Sequence, residues 1–220
     1  MRAAMTTDTA LFRLLSFLSP GFPTGGFAYS HGIEYAVESG DVTDEASLAA
    51  WLTDLINHGT GRNDAIVLRH AHAADRHDEI AALASACANS AERRAETLAQ
   101  GAAFIAAAAA WNRALVRDMP GECPYPVAVG AVAARCGIAE DAACIGFLQA
   151  WSANLVNAGL RLIPLGQSAG LRILAAIEPV VLAQVEQTRG LTLDDLGSAC
   201  WRADLAAIHH ETQYTRLFRT

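Results

Sequence analysis

Leu11, Leu14, Leu15 and Leu18 recur at i, i+3, i+4 and i+7, the spacing that lines one face of a helix, and Pro20 ends that helix. Tyr29, Ile33, Ala36 and Val37 mark a second apolar face, stopped by Gly40, while Ser30, His31, Glu34 and Glu38 stack on its other side. Thr43 or Asp44 caps a third helix, in which Leu48, Trp51, Leu52, Leu55 and Ile56 form a continuous stripe. Gly59 and Gly61 interrupt the chain. Helical patterns resume to Ala74, again from Glu79 to Ala88, and over one long stretch from Glu92 to about Val116. Pro120, Gly121, Pro124 and Pro126 make a connector, followed by helices over about 126–136 and 140–162. Beyond Pro164 and Gly166 the pattern predicts a helix over 168–187 that Pro179 kinks or splits and Gly190 stops. Thr192 then caps a last helix with Trp201, Leu205 and Ile208 turned inward. No alternating run reads as a strand. The pattern predicts an all-α fold: a single compact helical domain of about nine or ten helices over residues 1–220, with flexible tails at both ends.

Composition sharpens this picture. The apolar excess is largely alanine, which favours helices that approach closely. The formal charge is −7, so a polyanion held by a general positive field is not expected, and nucleic acid is set aside as a partner. All 16 basic residues are arginine. Without a lysine the chain can form neither a Walker A phosphate loop nor a Schiff base. The glycines at 21, 25 and 26 therefore do not make a nucleotide loop of that kind. The five cysteines, at 87, 123, 136, 144 and 200, form no CxxC pair, which suits a reduced, cytoplasmic setting better than a disulfide framework or a zinc knuckle. Asp8 and the lack of a long apolar run speak against a signal peptide. Residues 142–160 lack charge, but Gln149, Ser152, Asn154 and Asn157 mark them as a buried helix of a soluble protein, and no membrane association is expected.

Candidate chemistry is sparse. His70 and His77 share a helical face without an acidic residue at a completing spacing, and the adjacent His209 and His210 diverge by about 100°. His31 sits three residues before Glu34, a surface-pair spacing. No GxSxG and no recognisable catalytic cysteine occur, and the paired carboxylates Asp44–Glu45 and Asp194–Asp195 fall in first turns, where capping explains them. Neither a catalytic residue, a bound metal nor a cofactor is expected. Three stretches remain. Residues 19–41 crowd Phe22, Phe27, Tyr29 and Tyr35 around a flexible turn. Asn154, Asn157 and Arg161 form a polar stripe running into the break before Gln167. The ending HHETQYTRLFRT carries aromatic and arginine side chains of the kind enriched at protein interfaces, so it either folds back on its own domain or inserts into a partner.

These three stretches also carry a resemblance. LLSFLSPGFPTGGFAYSHGIEYAVESGD, RLIPLGQSAGLRIL and HHETQYTRLFRT are similar, in this order, to the N-terminal signature, the RL-x-PLGQ segment and the closing RLF-R-S segment of the urease accessory protein UreF family. The matching positions are Ser19, Pro20, Pro23, Gly25, Gly26, Phe27, Tyr29, Ser30, Gly32 and Glu34, then Arg161, Pro164, Leu165, Gly166 and Gln167, then Arg216, Leu217, Phe218 and Arg219. Departures are Gly21-Phe22, His31 where glutamine is frequent, Leu171 where a polar residue is expected, and Thr220 for a final serine. Residues 62–150 carry no motif. The resemblance implies an all-α, non-enzymatic scaffold that dimerises, binds UreD (UreH), recruits the nickel-carrying GTPase UreG and helps pass nickel through an internal channel to apo-urease. On that basis the expected partner-binding residues are Tyr214, Arg216, Leu217, Phe218, Arg219, His209 and Glu211. The expected polar passage is Gly25, Gly26, Phe27, Tyr29, Ser30, His31, Glu34, Asn154, Asn157, Arg161, Pro164 and Gln167. The rival readings are a nickel-binding metallochaperone using His70, His77, His209 or His210, and a helical enzyme with a deep titratable pocket.

Overall fold

A computed structural model describes residues 7–220; the expectation for the first six residues lies outside them. Among the described residues there are ten α-helices and no strand, as the pattern predicts. Helix α1 (Asp8–Phe17) starts where the Thr7 hydroxyl accepts from the Ala10 N–H and ends short of Pro20. Helix α2 is only Ile33–Glu38. Tyr29 is buried but extended, because Gly25 and Gly32 take φ of 73° and 76° on either side of a 3-10 turn at Gly26–Ala28, and that geometry cannot continue a helix. Helix α3 (Glu45–His58) begins at Asp44, whose carboxylate accepts from the Ser47 N–H at 2.8 Å.

Gly59 alone breaks the chain, and α4 (Thr60–Ala73) runs through Gly61. Helix α5 (Asp78–Ala86) precedes α6 (Ala91–Trp111), which stops before Val116 because the Asn112 side chain caps a separate 3-10 turn, Arg113–Val116. Then follow α7 (Tyr125–Arg135), α8 (Glu140–Leu162) and α9 (Gln167–Gln187), the last an unsplit helix running through Pro179. Thr192 caps a 3-10 turn at Leu193–Asp195 rather than the last helix, α10 (Trp201–His210).

Helix α7 is the centre of the molecule: Pro126 to Ala133 are all buried, between α4 and α6. Small residues make that possible. A side chain on Gly130 would lie 2.4 Å from the Leu68 carbonyl oxygen, so α4 and α7 touch backbone to backbone. Phe104, Phe147, Leu48, Leu52, Leu148, Leu155 and Ile173 fill the core around it. Arg69, buried on α4, ties α8 and α9 to it: it pairs with Glu140 and Asp141 and donates to Val185 O and Thr188 Oγ1. With its donors engaged, this buried guanidinium avoids the usual cost of an unpaired charge. Among the described residues one helix, α9, has the length and composition to cross a bilayer, but Ile173, Ile177, Val181 and Val185 put one face of it in the core.

The orientation of α10 corrects the sequence expectation. Ala203, Ala206, Ala207 and His210 face inward, while Trp201, Leu205 and Ile208 are 72 %, 53 % and 46 % exposed. The cause is close approach. A side chain on Gly32 would meet Ala207 N at 2.7 Å, so α10 lies against the loop before α2 on its smallest side chains, and the bulky stripe is left outside.

Candidate functional site

The last ten residues lie against the domain rather than free in solvent. From Arg216 on they bend at Leu217 and Phe218 and bond to the loop before α2: Arg219 N–H donates to Ala28 O and Ser30 N–H to Thr220 O, each at 2.9 Å. Ser30 Oγ also donates to Thr220 O. The Glu34 carboxylate accepts from Leu217 N–H (2.6 Å), Phe218 N–H (2.9 Å) and His210 Nε2 (3.1 Å). On its other side His210 Nδ1 lies 2.6 Å from Glu92, which also takes Arg216 Nη1 at 2.6 Å. Glu211 accepts from Ala91 N–H and Glu92 N–H and so caps α6, where negative charge is favoured. Phe218 is buried beneath Arg161, whose guanidinium stands 4.4 Å above its ring and donates to Phe27 O.

Beneath this clasp is a buried ionic knot. Glu96 pairs with Arg93, faces His31 Nδ1 at 3.1 Å, and accepts from Gln100 Nε2 (2.8 Å) and Thr220 Oγ1 (2.7 Å). Trp151 Nε1 donates to His31 Nε2 at 2.9 Å. Since an indole N–H can only donate, Nε2 is an acceptor, the ring is neutral and its proton sits on Nδ1. Burial, reinforced by the Arg93 charge, lowers the His31 pKa, in keeping with that tautomer. Burial alone would raise Glu96, but Arg93 and His31 outweigh it and hold the carboxyl well below the usual range, so the group is a fixed anion.

The knot forms part of the wall of a cavity of about 480 Å³ between the 19–27 loop, α6, α7 and α8. Phe22, Phe27, Tyr125 and Trp151 supply apolar walls, with Asn154 and Arg161 at its polar side. Asn154 Nδ2 donates to Gly26 O at 2.8 Å and so fixes the loop to α8.

The three stretches singled out in the sequence thus meet in one place. Gly26, Phe27, Ser30, His31, Glu34, Asn154, Arg161, Glu211, Arg216, Leu217, Phe218 and Arg219 all take part. Gly25 shapes the turn and Asn157 lies on the cavity wall, whereas Pro164 and Gln167 stand exposed at the α8–α9 turn without a bond to the clasp. Tyr214 is fully exposed and His209 stacks on Tyr35 at 5.1 Å. Ser30, His31 and Glu34 are buried, and the surface pairing suggested by the His31–Glu34 spacing is corrected: His31 meets Glu96 rather than Glu34, because α2 begins only at Ile33. The end of the chain is laid down, because Glu34, Glu92 and Glu96 supply acceptors for it. Sequence reasoning missed Glu92, Arg93, Glu96, Gln100, Trp151 and Thr220. The available signal was the polar stripe Glu92, Glu96, Gln100, four residues apart on an alanine-rich helix.

The histidines are engaged elsewhere. Ring nitrogens of His70, His72 and His77 lie 2.8–3.0 Å from the backbone carbonyls of Leu191, Ile138 and Ala71. Among the described residues no group of three or more His, Cys, Asp and Glu side chains is placed to hold a metal ion. The cysteines are free, and burial pushes Cys123 and Cys144 up to about 12, so neither is a ready thiolate.

Fold and site define an all-α protein whose N-terminal loop, central helices and chain end are joined in one polar clasp. Residues 42–178 match the family model for UreF. A urease accessory protein UreF of Bradyrhizobium sp. strain BTAi1 is 52 % identical over 230 residues, covering 99 % of this chain and 96 % of that protein. Those of Mesorhizobium japonicum and Rhizobium etli are 51 % and 47 % identical, covering 97 % and 96 % of this chain and 98 % and 96 % of theirs. The chain belongs to the UreF family of urease accessory proteins.

Proposed function

We propose that this protein is a non-enzymatic cytoplasmic scaffold for urease maturation. It binds UreD (UreH) and the GTPase UreG as a homodimer, tunes GTP hydrolysis in the assembly, and assists nickel insertion into apo-urease. The observation that supports the scaffold reading is the clasp: a tail held in a fixed shape over the domain, with Leu217 (56 % exposed) and Arg219 turned to solvent beside Tyr214 and Phe27 (74 % exposed). Aromatic, leucine and arginine side chains presented on a backbone that is already held in place are suited to gripping another protein, because little loop ordering is left to cost affinity.

The test uses purified UreD and UreG with the full chain and with a variant lacking residues 211–220. The full chain should capture both and alter the GTPase rate of the assembly, and the truncated chain should capture neither while keeping its helical circular dichroism. Undiminished capture by the truncated chain refutes the tail's role. The metallochaperone rival loses support from the histidine geometry, since His70 and His77 bind backbone carbonyls and His210 lies between Glu34 and Glu92. Equilibrium dialysis of the isolated protein should find no tight stoichiometric nickel, and finding it would revive that rival.

A further inference from the structure

The polar stripe Asn154, Asn157 and Arg161 is not used up by the clasp. All three residues line the cavity of about 480 Å³ from α8. Asn154 Nδ2 is spent on Gly26 O, and one Arg161 nitrogen, Nη1, on Phe27 O at 3.1 Å. The other N–H groups of Arg161 and the Asn157 amide make no bond among the described residues. Arg161 is nonetheless fixed in place, since its guanidinium also lies 4.4 Å over the Phe218 ring. Asn157 stands one turn before it, exposed on the same face of the helix. A guanidinium fork held still, with an amide donor beside it, is suited to taking a carboxylate by paired N–H bonds. The rest of the cavity calls for an apolar group, because Phe22, Tyr125 and Trp151 wall it. Glu96 is the one other charged residue on the wall, and Arg93 already matches it. An opening of this size contrasts with the packing elsewhere, where α4 and α7 touch backbone to backbone.

We propose that this cavity receives an acidic segment of a partner protein: an apolar side chain of the segment enters among Phe22, Tyr125 and Trp151, and an adjacent Asp or Glu carboxylate is clamped by Arg161 and Asn157. A free small carboxylate would need the cavity alone. The surroundings favour a stretch of chain. Phe27 lines the cavity and is 74 % exposed, so it stands at the mouth. From there the outer face of the tail continues with Leu217 and with Arg219, whose guanidinium makes no bond among the described residues. Glu34 and Glu92 are spent on the tail amides, His210 and Arg216. The patch thus presents unpaired cations on a chain of formal charge −7, the complement of an acidic partner. The identity of the occupant rests on the scaffold reading; the carboxylate clamp does not.

The clamp is tested on the isolated full chain with 3-phenylpropionate, an aromatic ring carrying one carboxylate, against the uncharged 3-phenylpropan-1-ol. Binding is read by NMR of the Trp151 indole N–H. The acid should bind at least about tenfold more tightly than the alcohol, the lower end of what a hydrogen bond to a charged group contributes. In Asn157→Asp a carboxylate one turn from Arg161 fills the clamp from within, and the advantage of the acid should vanish. Asn157→Ser should keep it to within about threefold. Equal binding of acid and alcohol, or an advantage that survives Asn157→Asp, overturns the clamp. The occupant is tested by titrating purified UreD and UreG. Asn157→Asp, and Ala153→Phe, which fills the cavity from α8, should each weaken capture about 10- to 100-fold while exchange of the tail amides stays at the native rate. Undiminished capture by either variant overturns the occupant and leaves the scaffold reading standing. Failure of the native chain to capture either protein refutes the scaffold reading, and the occupant with it.

Discussion

Replacing Glu34 by alanine should release the end of the chain while leaving the helical domain folded. The Glu34 carboxylate is the common acceptor for Leu217 N–H, Phe218 N–H and His210 Nε2, at 2.6, 2.9 and 3.1 Å. Leu217 is half exposed, so water can take over its amide; Phe218 and His210 are buried, at 4 % and 0 %, and water cannot easily reach them. Two buried donors left without an acceptor cost about 1–3 kcal/mol each, together roughly 4 kcal/mol. That corresponds to about a thousandfold shift in the opening of the tail. Global stabilities of domains lie at about 5–15 kcal/mol, and the cheaper response is local opening. Amide exchange read by mass spectrometry on a peptide covering 211–220 should therefore accelerate strongly, with a peptide covering α7 unchanged. If tail exchange rises less than about tenfold, Glu34 is not the anchor. If α7 accelerates equally, the tail is an integral part of the global folding unit and the idea of a separable clasp fails.

Other outcomes can be set beside this one. Gly101→Ala should abolish soluble, cooperatively melting protein, since its side chain would fall 1.9 Å from the Cys123 carbonyl oxygen, with a cost above roughly 4 kcal/mol; a melting point within a few degrees of the native value would contradict the packing of α6 on the 120–126 connector. Burial raises the Asp64 carboxyl to about 7, whereas in the unfolded chain it titrates near 4. The folded state thus holds a proton that the unfolded state releases, and stability should fall as pH rises from about 4 to 7. Asp64→Asn should flatten that slope and add roughly 2–4 kcal/mol at pH 8 with little effect at pH 4, measured by urea unfolding at both. Trp201→Ser with Leu205→Ser should change the urea midpoint negligibly, within about 0.5 kcal/mol, because both side chains are exposed; a large loss would restore the inward orientation of α10.

Most of the architecture was legible because it rests on local rules. The period of the leucines in α1, the Asp44 cap of α3 and the uncharged run of α8 give those helices nearly to the residue. Two of the failures share a cause. Tyr29 starts no helix, and Trp201, Leu205 and Ile208 face out, because Gly32 admits the backbone of α10. That is a contact between residues about 175 apart, and a preference for bulky residues inside could not foresee it. The site was half visible for the same reason. Its loop and tail carry a resemblance, but Glu92, Arg93, Glu96 and Gln100 are ordinary helix formers, and only the fold brings them under Thr220 and His31.

Ser30 and Thr220 are 190 positions apart, yet each is bonded to the other. During synthesis the N-terminal loop emerges first and must wait for some 190 further residues before the segment it bonds to exists, since domains are built from the N-terminus onward. Ribosome-bound intermediates and prematurely terminated products therefore lack the finished surface even when every helix up to α9 has formed.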